Sequence, residues 1–214
     1  MNSKQKSIII NLVLFAVVVF LAIMLVKSIQ APINFNHEKE TREKQIVQRL
    51  KDIRDAEIQY KQAYNKYTSD FDTLVKFCND YEIPIVNIIP DPNDTTFTTT
   101  INDTIGYVNV MDSLFGKRDN FNINELCMVP FSDPATKFEI QDSIIKRGGI
   151  SVPVFEVKTP YDVYLAKPGE KFSEKQWNTR VRNVTAEMEQ LDKYAGLKVG
   201  SLEEASTDGN WEKL

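Results

Sequence analysis

"YKQAYNKYTSDFDTLVKF", residues 60–77, is the stretch on which the fold turns. Tyr60, Tyr64 and Tyr67 recur at helical intervals, and Thr68-Ser69-Asp70 then breaks the pattern before a second apolar run. Tyrosine rings pack while their hydroxyls reach polar partners or water. The stretch therefore reads as a docking junction, where a solvated helix meets a folded body. Thr68 or Ser69 is expected to cap a second helix with Phe71, Leu74, Val75 and Cys78 on one side. The two helices would open the domain as a hairpin.

Upstream, residues 37–67 alternate in charge sign, and Glu38–Arg42 and Glu40–Lys44 stand four apart in the favourable order. Ile46, Leu50, Ile53, Tyr60, Tyr64 and Tyr67 form a narrow stripe in which Glu57 is the missing step. Either a short coiled-coil pairing through residues 46–67 or a helix laid on its own domain satisfies that spacing.

Further back, Ile8–Val26 reads "IIINLVLFAVVVFLAIMLV", 19 residues with one polar member, Asn11. At about 1.5 Å per residue it nearly crosses the ~30 Å hydrocarbon core. The run is too long for a signal peptide and no small-residue cleavage site follows it. Lys4, Lys6 and the amino terminus place residues 1–7 in the cytoplasm by the positive-inside rule. The expected layout is a cytoplasmic tail (1–7), an anchor (8–27), a linker (28–36) broken or kinked at Pro32, a spacer helix (37–67), an extracytoplasmic domain (68–196) and a C-terminal tail (197–214). Asn11 is the candidate contact to a partner helix in the membrane.

From Ile83 to about Ala166 the chain is rich in β-branched and aromatic residues, punctuated by Pro, Gly, Asn and Asp. Gly148-Gly149 signals a hairpin. Strands grouped after helices favour an α+β fold, with four or five antiparallel strands packed on the helices. Val181, Val184, Met188, Leu191 and Tyr194 suggest a last helix capped by Gly196, followed by an irregular tail held by Leu197, Val199 and Trp211.

Little chemistry is visible. The chain has one histidine, His37, and two cysteines, which excludes the usual zinc spacings. It has no phosphate-binding loop and no nucleophile elbow. Its 214 residues carry a net charge of −4, which gives no footprint for nucleic acid. Cys78 and Cys127 either form a disulfide in an oxidising compartment or remain two buried thiols. "DPND" (Asp91, Asn93, Asp94) and "TDGN" (Asp208, Asn210) offer oxygen ligands of the kind calcium takes, and equally the residues of ordinary turns. No cofactor, metal or catalytic residue is expected.

Taken together, the basic leader, the apolar helix and the junction "IRDAEIQYKQAYNKYTSDFDTLVKF" (53–77) resemble type IV pilins and type II secretion pseudopilins. In that family an apolar N-terminal helix runs outward and docks on a small antiparallel sheet. Residues 1–12, "MNSKQKSIIINL", hold neither the Gly at which the family's leader peptidase cuts nor the Glu five residues beyond it. The resemblance thus implies a pilin-like anchored component rather than a pilus-forming subunit. Asp-Ser/Thr-apolar or Asp-Thr-Thr triplets at 72–74, 94–96, 103–105, 112–114 and 142–144 also resemble the O-glycosylation sequon of Bacteroidetes envelope proteins.

The expectation is a non-catalytic inner-membrane component of an envelope, secretion or transport complex, with its domain in the periplasm. Its partners would be the membrane, other envelope proteins and a second copy. The alternatives are a tethered module binding a peptide, glycan or calcium, and an accessory subunit of a proton-driven energy-transducing complex.

Overall fold

A computed structural model describes residues 3–90, 100–119, 121–134 and 136–212. The fold is α+β, built on one long helix, α1 (Ser3–Tyr64, 62 residues). At about 1.5 Å per residue α1 is about 93 Å long. Its N-terminal part is long and apolar enough to cross a membrane, with none of its apolar window buried in the body.

The break expected at Pro32, and with it the linker 28–36, is absent, because α1 runs through Pro32. A proline inside a helix forfeits one backbone hydrogen bond and crowds the carbonyl four residues back. Packing directly downstream keeps the helical path. The Phe35 ring is buried edge-on against Trp177 and Phe172, at centroid distances of 5.0 and 6.4 Å. Gln30 also donates to Asn34 across the proline's own turn (3.3 Å).

Beyond Phe35 one face of α1 becomes the spine of the core. Ile46, Leu50, Ile53, Ala56 and Tyr60 are buried against the chain's own body. The stripe is therefore turned inward from Ile46 to Tyr60, as a helix laid on its own domain would be, while Tyr64 at its end stays half exposed. Opposite charges four apart line the flank, as at Lys39–Glu43 (3.0 Å) and Glu40–Lys44 (2.9 Å). α1 ends at Tyr64, three residues earlier than the spacer 37–67. Asn65, at φ 56°, turns the chain through a left-handed cap with its N–H on the Lys61 carbonyl (2.8 Å).

α2 (Phe71–Asp80) is capped by Asp70 rather than Thr68 or Ser69. The Asp70 carboxylate accepts from the N–H groups of Asp72 and Thr73, while the Thr68 hydroxyl accepts the N–H of Asp70 (3.2 Å). The threonine thus shapes the turn and the aspartate starts the helix. Phe71, Leu74, Phe77 and Cys78 form its buried face, with Val75 only partly covered.

Two separate antiparallel sheets replace the single one expected. β1 (Glu82–Pro90) pairs with β2 (Thr100–Asn109) as a two-stranded ribbon. The short helix α3 (Val110–Phe115) returns the chain to the body. β3 (Glu139–Arg147), β4 (Ile150–Pro160) and β5 (Gly196–Gly200) form the second sheet in the order β3-β4-β5. Gly148 and Gly149, at φ 59° and 83°, make the two-residue turn between Arg147 and its partner Ile150, as the sequence signals.

The four-residue helix α4 (Tyr161–Tyr164) leads by a loop to α5 (Glu174–Gln190), in which Trp177 and Val181 are buried. Leu191 lies past the end of α5 and is exposed, and Gly196 opens β5 instead of capping the helix. The expected irregular tail therefore starts with a strand. Leu197 and Val199 are buried beside β4, and the chain folds back so that Gly209 bridges Val199.

Candidate functional site

The junction predicted from residues 60–77 is an aromatic cluster at the end of α1 farthest from the apolar run. Tyr60 stacks near Tyr64 (4.8 Å) and meets Phe77 edge-on (5.1 Å), and Tyr64 reaches Tyr81 (5.9 Å). Tyr60 is buried, whereas Tyr64 is 49% exposed. Tyr67 belongs to the other side of the junction, packed at 4.6 Å on Phe155 of β4. A shallow groove of about 220 Å³ opens between α1 and α2, walled by Tyr60, Tyr64, Phe77 and Tyr81.

Beneath this cluster lies Glu57, the missing step of the stripe, and it is fully buried. One carboxyl oxygen accepts the N–H of Thr68 (3.2 Å), and the other has no hydrogen-bond partner among the described residues. Burial pushes its pKa up to about 8, against the lowering effect of the Thr68 hydrogen bond, with Asp142 adding a like charge. Cys78 is pushed up to about 12 by burial and by the neighbouring Glu57. Cys78 and Cys127 are both buried free thiols, so the disulfide is not formed.

At the opposite end of the body Arg42 is buried beneath the loop after α4. It donates to the carbonyls of Tyr164 (3.2 Å) and Lys167 (2.8 Å), pairs with Glu38 (3.0 Å) and lies 4.9 Å over the Trp177 ring. A cleft of about 320 Å³ beside it is bordered by His37, Glu38 and Gly169. Among the described residues no group of three or more His, Cys, Asp or Glu is placed to hold a metal ion. Asn210 spends its side chain on β5, accepting from Lys198 N–H (3.1 Å) and donating to the Gly196 carbonyl (2.9 Å). It acts there as a turn residue. Asp91, Asn93 and Asp94 lie outside the described residues.

The largest exposed apolar feature of the body is the β1–β2 ribbon. Ile83 is partly covered at its base, but Ile85, Val86, Ile88, Ile89, Ile101, Ile105 and Tyr107 are all exposed, Ile88 at 63% and Ile105 at 66%. Side chains alternate along β1 and directly opposed residues share a face, so the register groups Val86, Ile88 and Tyr107 (opposite Pro84) on one side and Ile85, Ile89 and Ile101 on the other. Among the described residues, these side chains stay exposed beyond the base of the ribbon. Monomeric proteins rarely leave such a patch contiguous. The tip of the β3–β4 hairpin, with Ile144 and Ile150 exposed, is a second such projection.

Asn11 is exposed on the apolar segment of α1. Of the Asp-Ser/Thr triplets, 103–105 and 142–144 lie exposed on β2 and β3, 72–74 opens α2, 112–114 sits in α3, and 94–96 is outside the described residues. Sequence reasoning singled out Tyr60, Tyr64 and Tyr67 but not the buried Glu57 or the exposed ribbon. Signals for both were present: a glutamate at a core step of the stripe, and an isoleucine-rich segment lacking Lys and Arg from 77 to 116.

No family model, curated protein or solved structure matches the chain.

Proposed function

We propose that the chain is a single-pass, non-catalytic assembly component of a bacterial inner membrane. In this reading residues 1–7 are cytoplasmic and the body is periplasmic, within an envelope, secretion or transport complex. The observation that carries it is the β1–β2 ribbon, an exposed isoleucine-rich surface on a body joined to the apolar helix without a break. Burying such a ribbon against a partner gains roughly 25 cal/mol per Å² of apolar surface. The resemblance to pilins and pseudopilins supports the same layout of anchor, helix and docked body.

Blue-native electrophoresis after mild detergent extraction of the full chain tests the assembly. A complex well above the monomer mass is expected, and a monomer alone would overturn the reading. Protease added to spheroplasts tests the topology: the body is cut from outside and residues 1–7 are protected.

The tyrosine groove favours a second reading, a tethered module that binds a peptide or glycan. Thermal melting of the full chain with such ligands checks it, because a bound ligand raises stability by mass action.

A further inference from the structure

The cleft near Arg42 begins at Asn34, next to Phe35, the first residue of α1 past Ile10 to be buried. Asn34 is eight residues past Val26, about 12 Å along the axis at 1.5 Å per residue. Exposed Ile29 and Ile33 extend the apolar surface into this interval, and the long stem of Lys27 lets its ammonium reach the interface from below. With Ile29 as the last residue in hydrocarbon, Asn34 stands about 7.5 Å above the boundary. A headgroup layer is about 5–7 Å deep. Where α1 crosses a bilayer, the cleft therefore opens at the outer edge of the lipid headgroups.

Donors without acceptors line this cleft. Arg42 is 5% exposed, and its guanidinium lies 4.9 Å over Trp177 and 5.3 Å over Phe131. Nε is committed to Glu38 and Nη1 to the carbonyls of Tyr164 and Lys167, whereas Nη2 has no hydrogen-bond partner among the described residues. A charged donor so deeply placed is costly to leave unmet, and an anionic oxygen is its strongest acceptor. The other wall is the loop holding Gly169, Glu170 and Lys171, whose backbone N–H groups also have no acceptor among the described residues. Successive free N–H groups of this kind favour an anion. The loop is held close to α1, since a Cβ on Gly169 would come to 3.1 Å from Glu38 Cγ.

The fixed charges along the cleft cancel, Glu38 and Glu170 against Arg42 and Lys171, which suits a ligand carrying both signs. Carboxylates accept hydrogen bonds from a primary ammonium, and a choline group has none to give. Choline is held instead by an aromatic cage, and the cleft offers Phe172 alone of the Phe, Tyr and Trp rings. We infer that the cleft holds the headgroup of a zwitterionic phospholipid with a primary ammonium. Its phosphate meets Arg42 Nη2, Lys171 and the loop N–H groups, and its ammonium meets Glu38 and Glu170. This rests on the membrane-spanning reading of α1 and adds a lipid to it. A lipid held there fastens the body to the leaflet from which α1 emerges.

Short-chain phospholipids titrated onto the full chain in detergent test this. The readouts are native mass spectrometry and tryptophan emission, since Trp177 lies against Arg42 and Phe172. One phosphatidylethanolamine per chain is expected, held at least tenfold more tightly than phosphatidylcholine, phosphatidylglycerol or inorganic phosphate. Lys171→Glu should weaken it at least tenfold, whereas Lys146→Glu, at the β3–β4 hairpin, should leave it unchanged. Glu170→Gln should narrow the preference over phosphatidylcholine. All three positions are exposed, so unchanged melting without lipid checks that folding is intact. The inference is overturned if phosphatidylcholine or inorganic phosphate binds as tightly, or if Lys171→Glu and Lys146→Glu behave alike. A chain that stays in membranes through alkaline carbonate washing but retains no phosphatidylethanolamine overturns the lipid site alone. A chain released by that wash overturns the spanning reading as well.

Discussion

The backbone N–H of Thr68 donates to the Glu57 carboxyl at 3.2 Å, tying the buried stripe of α1 to the turn that starts α2. Glu57 has its pKa raised from 4.5 to about 8 by burial, so the folded chain keeps a proton that the unfolded chain releases. Stability from this group is therefore greatest below about pH 4.5 and falls as pH rises towards 8, a span worth roughly 5 kcal/mol at most. Glu57→Gln should flatten that slope and be the more stable protein at pH 8. Denaturant unfolding at pH 5 and pH 8 checks it, and parallel slopes for variant and wild type would refute it.

Arg118 grips Asp52 with both terminal nitrogens at 2.7 Å, securing the segment after α3 to the last quarter of α1. Asp52 is buried and also accepts from Gln48 (3.0 Å). Arg118→Ala should cost about 2 kcal/mol, because a buried carboxylate loses its charged donor. A double-mutant cycle with Asp52→Asn measures the coupling, and additive effects would show that the pair contributes nothing.

Arg42 fastens the loop after α4 to α1 through two carbonyls and the Trp177 face. Arg42→Lys keeps the charge but loses the planar fork that serves both carbonyls. Faster amide exchange across 165–173 is expected, with the Tyr60 junction unaffected. Equal protection in both proteins would contradict this role.

The ribbon isoleucines should be dispensable for folding. Ile88→Asp with Ile105→Asp is expected to shift unfolding by no more than about 0.5 kcal/mol each. Leu50→Ala, at a fully buried position, should cost about 2–5 kcal/mol. A ribbon variant that unfolds as readily as Leu50→Ala would mean the ribbon is part of the core.

The sequence pattern revealed the two helical stretches that α1 joins, α2 and the β3–β4 turn, because each depends on neighbours within a few residues. Ile46, Leu50 and Ile53 mark the buried face by spacing, and Gly148-Gly149 marks the hairpin by its two positive φ angles. Features set by distant contacts were hidden. Pro32 argues for a break, but Phe35 packs on residues more than 130 positions away and the helix continues. Gly196–Gly200 looks like tail because two of its five residues are glycine, and only pairing with β4 makes it a strand. The division into two sheets depends on which strands find each other, which alternation along one strand does not encode.

The uninterrupted passage of α1 through Pro32 makes the helix a lever. From Val26 to Tyr64 it extends about 57 Å at 1.5 Å per residue, with no hinge in the helical assignment. A change in tilt of about 20°, within the ordinary range for a membrane helix, would swing the tyrosine end and the base of the ribbon sideways by about 20 Å. Bilayer thickness and neighbouring anchors would then set not only whether two bodies meet but the angle at which they do.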